Sequence, residues 1–273
     1  MNQVAIVGLE SGTMVLRAND GSDKYEFEKE AACLAAASSL GIPGPRVLKI
    51  GHLDGWTYMV EEFIPAAPPR DAPTPVDVWQ TLGRYARTIH RIPVTGFGRD
   101  FAGDDHLAFR DTWPRFLSYN VTSLDATDPI LDVGFTQDES DDLATIFERL
   151  RSTQFSFALC HGDLAPRNTV VANDGQVFLL DWGCAQANTV PHFDLSQVLR
   201  AEVHTDSDEF DAFLDGYGLT RAELDAQTPS ITALAALCQA DLLRWSIDRA
   251  PESIPHYADQ LRRSLKEAIR CSN

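Results

Sequence analysis

The feature that most constrains the fold of this chain is a short stretch with the pattern of a β-hairpin between two polar residues. Residues 169–172 are apolar or β-branched, Asp174 and Gly175 form a turn pair, and residues 177–180 are apolar. An Asp-Gly pair between two such runs is typical of a two-residue type I′ turn. The sequence therefore predicts two antiparallel strands joined by a tight turn.

The turn also decides which side chains of the hairpin face each other. With the Asp-Gly pair as the loop, Ala172 faces Val177, and counting back along both strands places Asn168 opposite Asp181. Opposed residues point to one face, with Cβ atoms roughly 5 Å apart. An amide oxygen and a carboxylate at that separation suit Mg²⁺, which would complete its octahedral shell with water and nucleotide phosphate oxygens. We therefore predict a magnesium site at Asn168 and Asp181.

A third polar group, Asp163, precedes the hairpin by one short loop. It follows an apolar strand, residues 157–160, and stands in the spacing His-x-Asp-x-x-x-x-Asn, with Asp-x-Gly further on. In that arrangement the first Asp accepts or orients a hydroxyl proton, and the Asn and the second Asp hold Mg²⁺ on ATP. The alternative is that Asp163 and Asn168 are turn or capping residues and that Asp181 ends a strand. The coincidence of the hairpin register with three apolar strands favours the catalytic interpretation.

The runs His161-Gly162-Asp163-Leu164 and Asp181-Trp182-Gly183 resemble the aminoglycoside phosphotransferase family, a relative of the protein kinases. Protein kinases have Arg after the His and Phe after the second Asp. The resemblance covers nearly the whole chain. It implies an ATP-dependent enzyme that moves the γ-phosphoryl group to a hydroxyl of a small molecule, with Asp163 as the catalytic base.

The resemblance also implies an α+β, bilobal, protein-kinase-like fold. Residues 1–65 would form a small N-terminal nucleotide-binding lobe and hinge, and residues 66–273 a larger, mainly helical lobe with the catalytic hairpin and the acceptor site. A proline-rich stretch marks the expected boundary and contains Pro65, Pro68, Pro69, Pro73 and Pro75.

Apolar periodicity predicts the elements of both lobes. In the small lobe we expect a sheet and one helix, with strands over 4–7, 13–17, 47–52 and 56–63 and a helix over 26–40. In the large lobe a polar, glycine-containing excursion over 93–111 interrupts the helices, which we expect over 76–92, 113–120, 138–151, 195–203, 208–217, 231–249 and 257–270. Pro229, Pro251 and Pro255 punctuate the last helices.

In the family a basic residue on the third strand pairs with a Glu of the following helix and contacts the nucleotide phosphates. Arg17 and Glu30 match those positions, although Glu26 and Glu28 are alternative partners. Protein kinases have Lys at the place of Arg17, and a guanidinium can bridge phosphate and carboxylate bidentately. The alternative is that Arg17 lies at the exposed end of a strand and does not bind a nucleotide.

The linker between the lobes contacts the adenine edge in the family through backbone N–H and C=O groups. The residues that match it are Glu61, Glu62, Phe63 and Ile64. ATP would therefore bind between the lobes, and the sequence does not discriminate ATP from GTP. Asp194 matches the residue that anchors the catalytic loop, and His161 is expected to order that loop through hydrogen bonds.

The strand count departs from the family pattern. The expected strands 4–7 and 13–17 match the second and third strands of the family, and residues 8–12 match the turn between them. No residues then remain for the family's first strand and its glycine-rich phosphate loop. Either Met1 is internal to a longer gene, or the roof of the nucleotide site is abbreviated. The second alternative would weaken ATP binding and leave the catalytic groups of the large lobe intact.

The composition and net charge limit the kinds of partner that the protein can bind. Of the 273 residues 44% are apolar, which is enough for a sizeable core. The formal charge of −17 makes nucleic acid an unsuitable partner and favours a cationic acceptor, although solubility or genome composition also explains an acidic balance. No partner protein is indicated.

The five cysteines lie far apart and form no Cys-x-x-Cys pair, which indicates neither a disulfide framework nor a zinc site. The sequence contains no uninterrupted apolar run of about 18 residues and no signal-like N-terminus. We therefore expect a cytoplasmic protein that does not contact a membrane.

Several acceptors are compatible with the sequence. Relatives in the family act on aminoglycosides, macrolides, choline, homoserine and other metabolites, so antibiotic modification is one option among several. An acidic cleft would favour an aminoglycoside, and an apolar cleft a macrolide. The alternative from another class is a non-catalytic kinase-like binding or regulatory protein, which the missing first strand and Arg17 would support.

Overall fold

The computed structural model describes residues 3–10, 12–20, 24–66, 73–103, 107–200 and 203–272. The small lobe is an antiparallel sheet with one helix and consists of β1 (Gln3–Leu9), β2 (Gly12–Asn19), α1 (Lys24–Ser39), β3 (Val47–Leu53) and β4 (Trp56–Glu62). All predicted elements of this lobe are confirmed. Pro68 and Pro69 of the expected boundary lie outside the described residues.

The strand order of the small sheet, β1-β2-β4-β3, sets the polar groups on one face. Val15 of β2 pairs with Glu61 of β4, and Arg17 pairs with Met59. Arg17 and Glu61 are therefore diagonal neighbours on the same face. Helix α1 lies against β3 and β4, which brings Glu30 close to Arg17.

The large lobe is mainly helical, as predicted. Its elements are α2 (Pro75–Ile89), β5 (Phe97–Phe101), β6 (Phe109–Asp111), α3 (Trp113–Thr122), α4 (Pro129–Asp132), α5 (Gln137–Ser152), β7 (Ser156–Cys160), β8 (Thr169–Val171), β9 (Val177–Leu179), β10 (Gln186–Val190), α6 (His192–Arg200), α7 (Asp208–Tyr217), α8 (Arg221–Arg249) and α9 (Ile254–Ser272). One buried apolar cluster joins α1, α2, α6 and α7, and a second joins α3, α5, α8 and α9. Within the described ranges, no helix combines the length and the apolar character that crossing a bilayer requires.

The large lobe also contains a four-stranded sheet that the sequence did not predict, with the order β6-β5-β10-β7. Strands β5 and β6 lie inside the expected polar excursion. In β5, Phe97 and Phe101 are buried and the three residues between them are not. A glycine and two charged residues between two phenylalanines hide the alternation by which a strand is recognised.

Helix α8 is longer than predicted. It begins at Arg221, not at Ile231, and contains Pro229 in its interior. A proline lacks the N–H for one helix hydrogen bond and commonly ends or kinks a helix. Here Leu224 and Ile231, on either side of the proline, are both buried in one apolar cluster, and this packing keeps the two segments in one helix.

The hairpin of β8 and β9 forms, but its register is one residue from the predicted one. Val171 pairs with Val177, and the N–H of Leu180 donates to the carbonyl of Asn168 at 2.8 Å. Asn168 therefore lies opposite Leu180. The prediction that Asn168 faces Asp181 across the hairpin is wrong.

The turn explains this shift. A type I′ turn needs a positive φ at both loop residues. Gly175 has a φ of +82°, whereas Asp174 is not left-handed, and the N–H of Gly175 donates to the carbonyl of Ala172 at 2.9 Å. The chain thus uses a three-residue loop, 173–175, with glycine in the left-handed position. After β9 Asp181 has a φ of +56°, which turns the chain away from the direction of the strand.

Candidate active site

The loop after β7 carries Asp163, whose side chain is 32% exposed. Oδ2 of Asp163 accepts a hydrogen bond from Nδ2 of Asn168 at 2.8 Å, and Oδ1 accepts one from Nη2 of Arg167. Nδ2 of Asn168 also donates to the backbone carbonyl of Asp163 at 2.8 Å. The amide nitrogen therefore faces Asp163, and the amide oxygen is the atom that Asn168 offers to a cation.

A fully buried carboxylate, Asp194, fixes the start of this loop. It accepts backbone N–H hydrogen bonds from His161 at 3.0 Å and Gly162 at 2.7 Å, and it lies 3.0 Å from Nε2 of His90. Burial opposes the ionisation of Asp194, but the hydrogen bonds outweigh burial and hold its pKa below the usual value. The other ring nitrogen of His90 lies 2.8 Å from the hydroxyl of Tyr217, so both of its nitrogens have partners inside the lobe.

The ring of His161 links the loop to the hairpin. Its Nε2 lies 3.1 Å from the carbonyl oxygen of Leu180, and its Nδ1 accepts the N–H of Asp163 at 3.3 Å. These two roles require the neutral ring with its proton on Nε2, and burial lowers the pKa of His161, which favours that form. Gly162 has a φ of +81° and lies so close to Cys184 that a Cβ there would be 2.4 Å from the Cys184 carbonyl oxygen.

A cavity of about 550 Å³ between the lobes, here called the nucleotide cavity, brings together most of the predicted nucleotide and metal residues. Its lining consists of Val4, Val15, Arg17, Pro45, Glu61, Glu62, Phe63, Ile64, Arg167, Asn168, Val170, Leu180 and Asp181. Glu30 lies behind Arg17 and outside this lining. Asp163 is joined to the cavity through its hydrogen bonds to Asn168 and Arg167.

Arg17 is the centre of an ion cluster with three carboxylates, of which Glu30 and Glu61 are largely buried. Its Nη1 lies 2.5 Å from Oε2 of Glu30 and 3.8 Å from Oε2 of Glu61, and its Nη2 lies 3.6 Å from Oδ1 of Asp181. Burial lowers the pKa of Arg17, but Glu30 and the two other carboxylates outweigh burial and raise it. Three carboxylates around one guanidinium leave negative charge that a divalent cation would balance.

The donor set beside this cluster suits the magnesium ion that the sequence pattern implies. Asn168 offers an amide oxygen, and Asp181 offers a carboxylate that is 56% exposed. Mg²⁺ prefers such hard oxygen ligands. Burial raises the pKa of Glu61, and the charge of Asp181 adds to the rise although Arg17 opposes it. A cation at Asn168 and Asp181 would relieve that repulsion.

Lys29, which no pattern in the sequence singles out, ties α1 to the Asp-Trp-Gly segment. Its side chain is 1% exposed, and Nζ donates to the carbonyl of Gly183 at 3.0 Å and to Oε2 of Glu26 at 3.2 Å. Nη2 of Arg99, on β5, donates to the same carbonyl at 3.2 Å. Glu26 is thus paired with Lys29, and among the predicted alternatives Glu30 is the residue that binds the guanidinium of the ion cluster.

A second cavity of about 750 Å³, here called the acceptor cavity, opens in the large lobe beside Gly162 and Cys184. Its walls carry three carboxylates, three guanidinium groups and five aromatic rings. The carboxylates are those of Asp100, Asp111 and Asp241, the guanidinium groups those of Arg99, Arg115 and Arg200, and the rings those of Phe97, Phe116, Tyr119, Phe193 and Tyr257. Burial raises the pKa of Asp241, and Asp111 adds to the rise although the amide of Asn120 opposes it. The cavity is therefore neither simply acidic nor simply apolar.

Comparison with known proteins agrees with this geometry. The sequence model of the phosphotransferase enzyme family matches residues 2–228 of the chain. An aminoglycoside 3'-phosphotransferase from Streptomyces fradiae is 25% identical over 223 residues, which cover 73% of this chain and 75% of the relative.

Solved structures show the same fold. Aminoglycoside phosphotransferase APH(4)-Ia matches with a TM-score of 0.67 at 18% identity, over 97% of this chain and 90% of that chain. A thermostable mutant of that protein was solved in a ternary complex with ADP and hygromycin B. Choline kinase LicA from Streptococcus pneumoniae matches with a TM-score of 0.59 at 16% identity, over 98% of this chain and 90% of that chain. Because the family model matches most of its length, this chain belongs to the phosphotransferase enzyme family and is a kinase-like small-molecule phosphotransferase.

Proposed function

We propose that this enzyme transfers the γ-phosphoryl group of ATP to a hydroxyl of a small molecule, with residues 1–65 as the nucleotide lobe and 66–273 as the acceptor lobe. The observation that carries the proposal is that residues next to Asp163 or hydrogen-bonded to it line two different cavities. Arg167 and Asn168, which donate to its carboxylate, line the nucleotide cavity, and its neighbour Gly162 lines the acceptor cavity. A nucleotide in one cavity and a hydroxyl in the other would meet at Asp163.

Asp163 would orient the acceptor hydroxyl and accept its proton. The hydroxyl oxygen forms a bond to the γ-phosphorus while the bond from that phosphorus to the β–γ bridging oxygen breaks, and ADP leaves with the electron pair. The proton is held on Asp163 and then passes to solvent. Asn168 and Asp181 would hold Mg²⁺, which when bound supplies positive charge to the phosphate oxygens.

The small lobe would position the rest of the nucleotide. Arg17, held by Glu30, would contact the α- and β-phosphates, since a guanidinium can bind carboxylate and phosphate together. Val4 and Val15 provide apolar surface in the same cavity. The backbone of the linker residues would contact the adenine edge; those residues are Glu61, Glu62, Phe63 and Ile64.

For the acceptor we propose a polyhydroxylated amine of the aminoglycoside type, whose phosphorylation would confer antibiotic resistance. The relative from Streptomyces fradiae, an aminoglycoside 3'-phosphotransferase, supports this choice of acceptor. The acceptor cavity adds carboxylates for ammonium groups, which form strong charge-assisted hydrogen bonds, and aromatic rings against which sugar rings can pack.

The test is ADP release in the presence of Mg²⁺ and a panel of aminoglycosides, macrolides, choline and homoserine. Asp163→Ala should reduce turnover by at least about a hundredfold, since a positioned acid–base group contributes that much or more. ADP binding, measured by calorimetry, should be unchanged in this variant.

The matched control is Asp142→Ala, because Asp142 lies exposed on α5. Full turnover in Asp163→Ala would refute its role, and turnover of choline or homoserine alone would refute the aminoglycoside class.

A further inference from the structure

Arg167 stands at the border between Asp163 and the nucleotide cavity. It follows Asp163 by 4 residues, and its Nη2 donates to Oδ1 of that carboxylate. Its side chain is 57% exposed and lines the nucleotide cavity together with Asn168 and Asp181. One guanidinium therefore reaches both the base and the space in which the phosphates of a nucleotide would lie.

The two guanidinium groups of the nucleotide cavity differ in how firmly they are held. Arg17 is 12% exposed, bonds Glu30 through two nitrogens and lies close to two further carboxylates. Arg167 has five N–H donors, and among the described residues it forms a hydrogen bond to Asp163 alone. Arg167 can therefore change partner at the cost of one exposed ion pair, which contributes little to stability.

The charge of the nucleotide cavity favours such a change. Against two guanidinium groups, the lining carries three carboxylates, those of Glu61, Glu62 and Asp181. A phosphoryl group would add more negative charge, and a guanidinium binds phosphate in a two-pronged, charge-assisted geometry. If the guanidinium moves to a phosphate, Asp163 keeps the hydrogen bond from Asn168 and its Oδ1 becomes available to an acceptor hydroxyl.

We propose that Arg167 binds the terminal phosphoryl group of a nucleoside triphosphate and makes the site prefer a triphosphate to a diphosphate. With a diphosphate bound, the guanidinium stays on Asp163. With a triphosphate bound, it contacts the γ-phosphoryl group and opens Oδ1 of Asp163 to the acceptor. This proposal rests on the proposed function, because it needs a nucleotide in the cavity between the lobes.

The test compares the Mg²⁺-dependent binding of ADP and of a non-hydrolysable ATP analogue by calorimetry, without an acceptor. Arg167→Met should weaken binding of the analogue about tenfold, the loss of a charge-assisted hydrogen bond, and leave ADP binding unchanged. Arg167→Lys keeps the charge but not the fork geometry, so its affinity for the analogue should fall between those of the wild type and Arg167→Met.

The matched control is Arg46→Met. Arg46 is a 77% exposed cation that lies 3.3 Å from Glu62 but does not line the nucleotide cavity, so its loss should not change the ratio of the two affinities. Thermal unfolding checks that each variant is folded, and Arg167→Lys serves as the test if Arg167→Met is not.

The outcomes separate this inference from the proposed function. If the wild type binds both nucleotides and Arg167→Met keeps the wild-type ratio, the inference is overturned and the proposed function stands. Equal losses for both nucleotides also overturn it, because they indicate a general contribution to charge or loop structure. If the wild type binds neither nucleotide, the proposed function fails and the inference fails with it.

Discussion

The nucleotide cavity and the acceptor cavity are built in different ways. The nucleotide cavity takes its polar groups from a few short segments, since Asn168 and Asp181 flank one hairpin and residues 61–64 are the end of β4 and the two residues after it. The acceptor cavity takes its lining from β5, β6, α3, β10, α6, α8 and α9, which are spread over more than half of the chain. The proposed transfer chemistry therefore depends on local sequence, and the proposed acceptor site depends on how distant elements pack.

The cavities also differ in how their charges interact. At the nucleotide cavity three carboxylates lie 2.5 to 3.8 Å from the guanidinium nitrogens of Arg17, so removal of one of these charges disturbs the others. In the acceptor cavity the three carboxylates lie on separate elements, β5, β6 and α8, and of these Asp111 and Asp241 interact through their charges, without a shared guanidinium at hydrogen-bond distance among the described residues. A single substitution there should change acceptor binding alone.

The largest expected effect would break the nucleotide side of this comparison. Asp181→Ala removes a proposed metal ligand and should lower the Mg²⁺-dependent affinity for ADP by at least about a hundredfold, measured by calorimetry at several Mg²⁺ concentrations. Asp142→Ala, on the exposed face of α5, is the control. An ADP affinity that still responds to Mg²⁺ as in the wild type would refute the metal assignment.

The next effect concerns the carbonyl of Gly183, to which Lys29 of the small lobe and Arg99 of the acceptor cavity both donate. Lys29→Met removes a buried donor and, among the described residues, leaves Arg99 as the side-chain donor to the Gly183 carbonyl. We expect a loss of about 1–3 kcal/mol in the free energy of unfolding, measured with urea. Glu26→Gln keeps the Lys29 contact with Gly183 and should cost about 1 kcal/mol or less. Equal stability of the two variants would show that the buried contact does not join the lobes.

A smaller effect tests whether the acceptor cavity acts independently of the nucleotide cavity. Asp241→Asn should raise the KM for an aminoglycoside about tenfold, because one charge-assisted hydrogen bond is lost, and should leave the KM for ATP unchanged. Steady-state kinetics with each substrate varied in turn measures both values, with Asp142→Asn as the control. A rise of the same size in the KM for ATP would contradict the independence of the two cavities.

The smallest effect concerns His192, next to Phe193 of the acceptor cavity. Burial lowers the pKa of His192 from 6.5 to about 4, and its Nδ1 has no hydrogen-bond partner in the described part of the chain. The unfolded chain takes up a proton below pH 6.5 while the folded protein does not, so the free energy of unfolding should decrease from that pH down to about 4.

Urea unfolding at pH values across this range measures the effect of His192. His192→Phe should flatten the decrease in part, because burial also lowers the pKa of His161 and gives a contribution of the same sign. If the wild type and His192→Phe lose stability equally as the pH falls, His192 does not have the lowered pKa.

The hairpin shows how far a local pattern determines this site. Its two strands are where the sequence predicts them, but Asp-Gly fits both a two-residue and a three-residue loop, and the protein uses the longer one. The register therefore differs by one residue. Asn168 and Asp181 nevertheless reach the same cavity, since Asp181 is left-handed and leaves the strand direction. The pattern predicted the members of the site, and the turn geometry decided how they meet.

Other parts of the site had no local signal. Lys29 is buried because Gly183, 154 residues further along the chain, approaches it. Strand β10 is recognisable only by its pairing with β5 and β7. Arg167 had a weak signal, its spacing of 4 residues from Asp163, but its contact with that carboxylate and its place in the nucleotide cavity appear only in the structure.

By itself the sequence determined the order of a sheet lobe before a helical lobe, and it singled out the groups that we propose for phosphotransfer. The reason is that one loop and one hairpin carry those groups, and apolar periodicity and turn residues act over short distances along the chain. Only the tertiary structure decided which of three candidate glutamates pairs with Arg17, that Lys29 is buried, and what charges line the acceptor cavity. These features depend on which distant elements pack together, and burial of apolar surface across the whole chain selects that packing.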